Sequence, residues 1–185
     1  EAQEGVDRMS DETEVRVHGT TLVGFAQACV NLSIVAGRET RDLIAELDMN
    51  RWYPFARLVE LERVVLRAYQ DTGPILTKVG MVMMHNWFHH GPGQSLIRGG
   101  ASFLHFQTGS QGYASVVQGP VAQVGSFELE LFDRRKGFAV IRSTTPFDKR
   151  LERGVLLGGM RAPGDLDYVD VYQGDEPSLL YCEFH

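Results

Sequence analysis

Ser126-Phe-Glu-Leu-Glu-Leu-Phe132, Phe138-Ala-Val-Ile-Arg-Ser143, Tyr168-Val-Asp-Val-Tyr172 and Leu179-Leu-Tyr-Cys-Glu-Phe184 are the segments of Val124 to His185 that decide the fold. Apolar and polar side chains alternate along them, the period of strands buried on one face. Asp133-Arg-Arg-Lys-Gly137 joins the first two as a solvated hairpin tip. Between the two pairs, Pro146 is followed by a helical run from Asp148 to Met160. This is a ββαββ unit. Everything before it reads as helix. The expected fold class is therefore α+β, an N-terminal helical layer packed on a small twisted antiparallel sheet.

Working back along the chain, Leu22, Phe25, Ala26, Cys29 and Val30 form one stripe of a helix over Thr20 to Asn31. A second helix is expected over Thr40 to Leu47, with Leu43, Ile44 and Leu47 inward. Pro54 is read as opening a third, where a missing N–H costs nothing. Leu58, Leu61, Val65 and Tyr69 are its buried face, and Gly73-Pro74 its end. Ile75 to Phe88 is apolar nearly all round and predicts a central helix covered on most sides. His90-Gly-Pro-Gly93 breaks it, a short helix is expected within Ser95 to Gln107, and Gly109 to Gln123 is a Gly-rich connection. Gly154, Gly158 and Gly159 each lower helix propensity by ~1 kcal/mol, so their use predicts close approach of the late helix to the sheet or to another chain.

The chain has 185 residues, 43% of them apolar, which suits one domain over residues 16–185. Its net charge is −6. Glu1, Glu4, Asp7, Asp11, Glu12 and Glu14 against Arg8 supply five of those charges, so residues 1–15 read as a disordered acidic leader and the body is nearly neutral. A nearly neutral body lacks the basic footprint of a nucleic-acid binder. Residue 1 is Glu, as in a fragment or processed product. No apolar run approaches the ~20 residues of a membrane span, and no secretory core appears. Cys29 and Cys182, far apart and outside any C-x-x-C, read as reduced thiols in a cytoplasmic setting.

His85 and His89 lie four apart and share a helix face with Lys78. They read as a solvated or interface-facing strip. The alternative is a metal or haem ligand, although position 86 is not the Glu of H-E-x-x-H. Met81, Met83, Met84, Trp87 and Phe88 are soft and aromatic, suited to core packing or to the wall of an apolar pocket. The acidic run Asp165 to Asp170 lacks calcium-loop spacing. Gly154 to Gly159 is not followed by the Lys of a phosphate loop, and Ser95 lacks the second Gly of a nucleophile elbow. No paired carboxylates favour acid–base work, so no catalytic residue is assigned and the chain is read as a non-enzyme.

Val17-His-Gly-Thr-Thr-Leu22, Trp52-Tyr-Pro-Phe55, Thr145-Pro-Phe147, Glu152-Arg-Gly-Val-Leu-Leu-Gly158, Tyr168-Val-Asp-Val171 and Leu180-Tyr-Cys-Glu-Phe184 come in an order that resembles one superfamily. It is the ligand-binding domain superfamily shared by haem-nitric-oxide sensors, TRAPP vesicle-transport subunits and 4-vinyl-reductase-type sensing domains, with myxobacterial-type members most alike. The resemblance spans roughly residues 15–185. It implies helices on a twisted antiparallel sheet and, often, a homodimer. The haem branch carries a Tyr-x-Ser-x-Arg clamp for the propionates. Ile141-Arg-Ser-Thr-Thr145 has neither its Tyr nor its final Arg, and only Cys182 stands where the 4-vinyl-reductase-type branch has a cysteine cluster.

The expected function is small-molecule sensing or regulation, with an apolar pocket between the central helix and the sheet walled by Met81, Met84, Trp87 and Phe88. The rival expectations are a ligand-free dimerisation or assembly module, and a haem or metal sensor through His85 and His89.

Overall fold

The computed structural model describes residues 13–34, 44–69 and 73–185. The chain begins β1 (Arg16–His18), α1 (Gly19–Asn31), β2 (Trp52–Pro54), α2 (Ala56–Arg67) and α3 (Gly73–His90). Short elements follow: α4 (Gly93–Leu96), α5 (Gly100–Thr108), α6 (Tyr113–Val116), β3 (Val117–Gln118) and α7 (Val121–Val124). The C-terminal unit is β4 (Phe127–Asp133), β5 (Phe138–Ser143), α8 (Lys149–Arg161), β6 (Val169–Gln173) and β7 (Leu179–Phe184).

The four C-terminal strands form one antiparallel sheet in the order β4-β5-β7-β6. Asp133 starts the β4–β5 turn by accepting from the Arg135 and Lys136 amides, both at 3.1 Å. Gly137 closes it at φ 62°, where a Cβ would lie 1.8 Å from the Phe184 carbonyl oxygen, so the turn requires glycine. Ala139, Ile141, Val169, Val171, Leu180 and Cys182 fill the inner face. A bulge between Leu129 and Leu131 breaks the alternation of β4, turning Leu131 out and pairing Phe132 with the buried Ala139.

Asp148 caps α8 by accepting from the Arg150 amide at 2.9 Å. This helix packs on α3 on one side and on α5 and β6 on the other. The central helix therefore meets the sheet through α8 rather than resting on it. The α8 glycines explain the geometry. A Cβ on Gly154 would stand 2.1 Å from the Thr77 carbonyl oxygen, and one on Gly158 would stand 2.6 Å from Met81 Cα. Gly80 of α3 meets the Leu151 carbonyl in the same way, at 2.5 Å. The close approach expected of these glycines is thus to α3, not to the sheet; Gly159 instead leaves room for the Phe103 ring of α5.

The reading of everything before Val124 as helix is corrected by a second sheet, β2-β1-β3. Its strands have two or three residues each, too short to show a period. Pro54 ends β2 instead of opening α2, and Gly73-Pro74 begins α3 instead of ending α2. Proline suits the first turn of a helix as well as its approach, so its sequence position leaves both open. The expected 40–47 helix lies outside the described residues up to 43, and so does the acidic leader up to 12. Val15 is tied down, its carbonyl accepting from the Phe55 amide at 2.9 Å.

Two cores result. One gathers Phe103, Leu104, Leu156, Leu157 and Met160 against the sheet; the other gathers Leu22, Phe25, Leu58, Leu61, Leu76 and Val79 from α1, α2 and α3. Leu151 of α8 belongs to the second core while Leu156 belongs to the first. Arg153 and Arg161, eight apart on α8, donate to the Val171 and Val169 carbonyls of β6. Among the described residues, no helix is long and apolar enough to cross a membrane.

Candidate functional site

A cavity of about 650 Å³ opens where α1, α3, α8 and the α5–α6 segment meet. α1 contributes Thr20, Val23, Gly24 and Gln27, and α3 contributes Met83, Met84, Asn86, Trp87 and His90. Phe106, Tyr113 and Val116 come from the α5–α6 side, and Leu151, Glu152 and Val155 from α8. Its inner end holds the buried Met83, Tyr113, Phe127, Leu151 and Glu152, while the exposed Met49 and Leu96 stand at its rim. The sheet's contribution is Phe127, where β4 begins. The cavity thus lies between helices, not between the central helix and the sheet.

Of the four residues expected on the wall, Met84 and Trp87 line the cavity, and Trp87 packs on Phe106 with ring centroids 5.0 Å apart. Met81 and Phe88 turn instead toward the sheet-side core. Met83 of the same soft run lines the cavity as well, and so do Asn86 and Glu152, which softness does not mark. On a helix apolar nearly all round, no polar stripe marks which face meets a void. The lone Asn86 among apolar neighbours was the available signal.

Glu152 is 6% exposed. Its carboxylate accepts from Ser143 at 2.8 Å, from Lys149 Nζ at 2.9 Å and from the Thr145 hydroxyl. Burial pushes this carboxyl up, opposed by the Lys149 charge and by the three donors. The Tyr113 hydroxyl donates to the Val124 carbonyl, and its pKa is raised by burial and then by the Glu152 charge. The inner end of the cavity is therefore polar but internally satisfied. Asn86 stands elsewhere on the lining, beside the exposed Asn31. Gln27 Nε2 donates to Asn31 Oδ1 at 2.9 Å and Asn31 Nδ2 donates to Asn86 Oδ1 at 3.2 Å, which leaves Asn86 Nδ2 buried without a hydrogen-bond partner.

His85 and His89 lie on the exposed side of α3 with ring centroids 4.3 Å apart, outside the cavity lining. The His85 imidazole is held below its usual pKa by burial, then by His89 and His90. Among the described residues, no group of three or more His, Cys, Asp or Glu is placed to hold a metal ion. The histidines that reach the cavity are His18 and His90, and His18 Nδ1 is engaged with the Thr20 hydroxyl at 2.9 Å. Cys29 and Cys182 are buried, and burial pushes both thiols up to about 12, the state of unreactive cysteines.

No protein-family model matches the chain, and no curated protein matches it in sequence. Solved structures do match in fold. An oxygen-binding H-NOX domain related to soluble guanylate cyclases superposes with a TM-score of 0.62 at 11% identity, over 90% of this chain and 94% of that one. A Fe(II) unliganded H-NOX mutant from K. algicida gives 0.59 at 8% identity, over 91% and 96%. A structure described as modulating heme redox potential through protein-induced porphyrin distortion gives 0.64 at 12% identity, over 90% and 94%. The likeness is one of fold, and it raises the question of haem. Haem carries two propionates that need cationic partners. Among the described residues the lining brings no Lys or Arg, and its one acidic side chain is Glu152. The described lining does not fit haem.

Proposed function

We propose that this chain is a non-enzymatic sensing domain whose interhelical cavity binds a small apolar molecule. The observation that carries this reading is the cavity itself. It is of ligand size, walled by methionine and aromatic side chains, and built on α8, the helix shared by both cores. A ligand that favours one packing of α8 against α3 shifts that equilibrium by its differential affinity, and a partner reads the result. The fold shared with H-NOX domains supports a sensing role. Residues 16–185 act as one unit in this reading.

Gly24→Leu provides the test. Gly24 lines the cavity, and a Cβ there meets only Met83 Cε, at 3.7 Å, so the position has room to begin a side chain directed at the void. In a screen of neutral apolar compounds, the unmodified protein should gain about 2.7 kcal/mol of stability at a hundredfold excess over Kd. Trp87 emission should shift in parallel. The variant should fold with equal or higher Tm and give neither response. An equal response from the variant would move binding elsewhere. The assembly reading is favoured by one feature: Phe138, Tyr181 and Tyr172 line up on the outer face of the sheet with ring centroids 5.8 and 5.6 Å apart. No response in the screen together with a dimer in sedimentation would favour it.

A further inference from the structure

The outer face of α3 carries a pair of side chains that the cavity does not use. We infer that His85 and His89 chelate one divalent transition-metal ion of the Cu²⁺ or Ni²⁺ type, with water in its remaining positions.

The argument has three parts. First, the pair is placed for it. His85 and His89 stand one helical turn apart on the exposed side of α3, with ring centroids 4.3 Å apart. An ion about 2.1 Å from each ring nitrogen lies about 3.2 Å from each ring centre, so centres 4.3 Å apart meet at it with an angle of about 85°. The second torsion of histidine is broad and both side chains are exposed, so the rings turn their nitrogens to a common point at little cost. Second, the nitrogens are uncommitted. Among the described residues neither imidazole makes a hydrogen bond or an ion pair, whereas His18 of β1 is engaged with Thr20. Phe88 packs edge-on against His89 at 5.1 Å and steadies that ring. Third, the ligand set selects the ion. Among the described residues no third His, Cys, Asp or Glu completes a group around the pair, and His90 lines the cavity instead. Two imidazole nitrogens near a right angle, with water elsewhere, suit the tetragonal surroundings of Cu²⁺ and Ni²⁺ rather than a closed four-ligand zinc site. They offer no oxygen to Mg²⁺ or Ca²⁺. Lys78 shares the strip but stands two turns from His85, about 10 Å along the axis. The turn that the pair spans also holds Trp87, which lines the cavity, so an ion bound outside is seen in tryptophan emission.

The experiment is calorimetric titration of the metal-free protein with CuCl₂, NiCl₂, ZnCl₂ and MgCl₂, with Tm and tryptophan emission as further readouts. One Cu²⁺ per chain should bind tightest, Ni²⁺ and Zn²⁺ more weakly, and Mg²⁺ not at all. Bound Cu²⁺ should quench tryptophan emission, Ni²⁺ should raise Tm, and EDTA should reverse both. His85→Ala and His89→Ala should each weaken Cu²⁺ binding ~10-fold or more, since even the outer partners of a metal ligand are worth about that much. His90→Ala should leave it unchanged. All three side chains are exposed, so the variants keep the fold, and their metal-free Tm checks this. Binding that survives either of the first two substitutions, or that His90→Ala weakens as much, would overturn the inference. Mg²⁺ bound as tightly as Cu²⁺, or no binding of any ion, would overturn it too, and either result leaves the cavity reading where it stands.

Discussion

Glu62 lies 8% exposed on α2, with Oε1 lacking a hydrogen-bond partner. Burial, and then the charge of Asp148, push its carboxyl up to about 7 from an ordinary 4.5, with Arg150 opposing. A carboxyl whose folded pKa exceeds its unfolded one binds its proton more tightly in the folded state. Its contribution is therefore most favourable below pH 4.5 and is lost as pH rises through about 7. The penalty for holding it ionised is up to about 3 kcal/mol. Glu62→Gln should flatten that fall, and it should raise urea-unfolding stability near neutrality and above while changing little in acid. A variant that keeps the wild-type slope would place the titration on another group. None of this was legible in sequence, where Glu62 looks like any acid on an exposed helix face. Of the four wall residues that softness suggests, Met84 and Trp87 line the cavity, while Met81 and Phe88 do not. The places of Asn86 and Glu152 on the lining depend on what surrounds them in space.

At the scale of elements, the α3–α8 crossing has no room to adapt. Gly154→Ala drives a methyl into the Thr77 carbonyl, a backbone atom that cannot swing aside. It should cost about 3 kcal/mol or more in denaturant unfolding, at or beyond the usual range for overpacking. Gly164→Ala is the control. Gly164 has φ 74° and nothing within 4 Å of a would-be Cβ, so its cost should stay near 1 kcal/mol, from backbone strain alone. Equal losses would mean that the contact with Thr77 adds nothing at Gly154, where helix propensity by itself favours alanine. The C-terminal strands and α8 were readable because each carries a full period plus a stop signal, Gly137 at one turn and Asp148 at one cap. β1, β2 and β3 carry neither. They exist because distant segments meet: Arg16 pairs with Pro54 on one side and Gln118 on the other. Residues 38 and 102 positions away leave no local trace.

For the whole molecule, α8 joins two clusters of buried side chains that would otherwise be separable. Residues of this one helix sit in both, and Thr77 of α3 donates to its Arg150 carbonyl at 3.0 Å. The two halves should unfold together in one transition, and native-state hydrogen exchange should find the α8 amides among the slowest in the chain. Exchange of α8 at the rate of the surface helices would break the molecule into two independent units. The same helix guards the margin of the sheet. The Tyr168–His185 backbone pair sets the β6–β7 register, which turns the Val169 and Val171 carbonyls away from β7, and those are the oxygens that Arg153 and Arg161 occupy. A bare outer strand is a template on which another chain's strand can add, and rows of such additions make fibrils. Here two guanidinium groups stopper the template, and the Glu130 bulge kinks the opposite margin. The fold thereby stays finite: its sheet ends at four strands because its own helix reaches across to finish it.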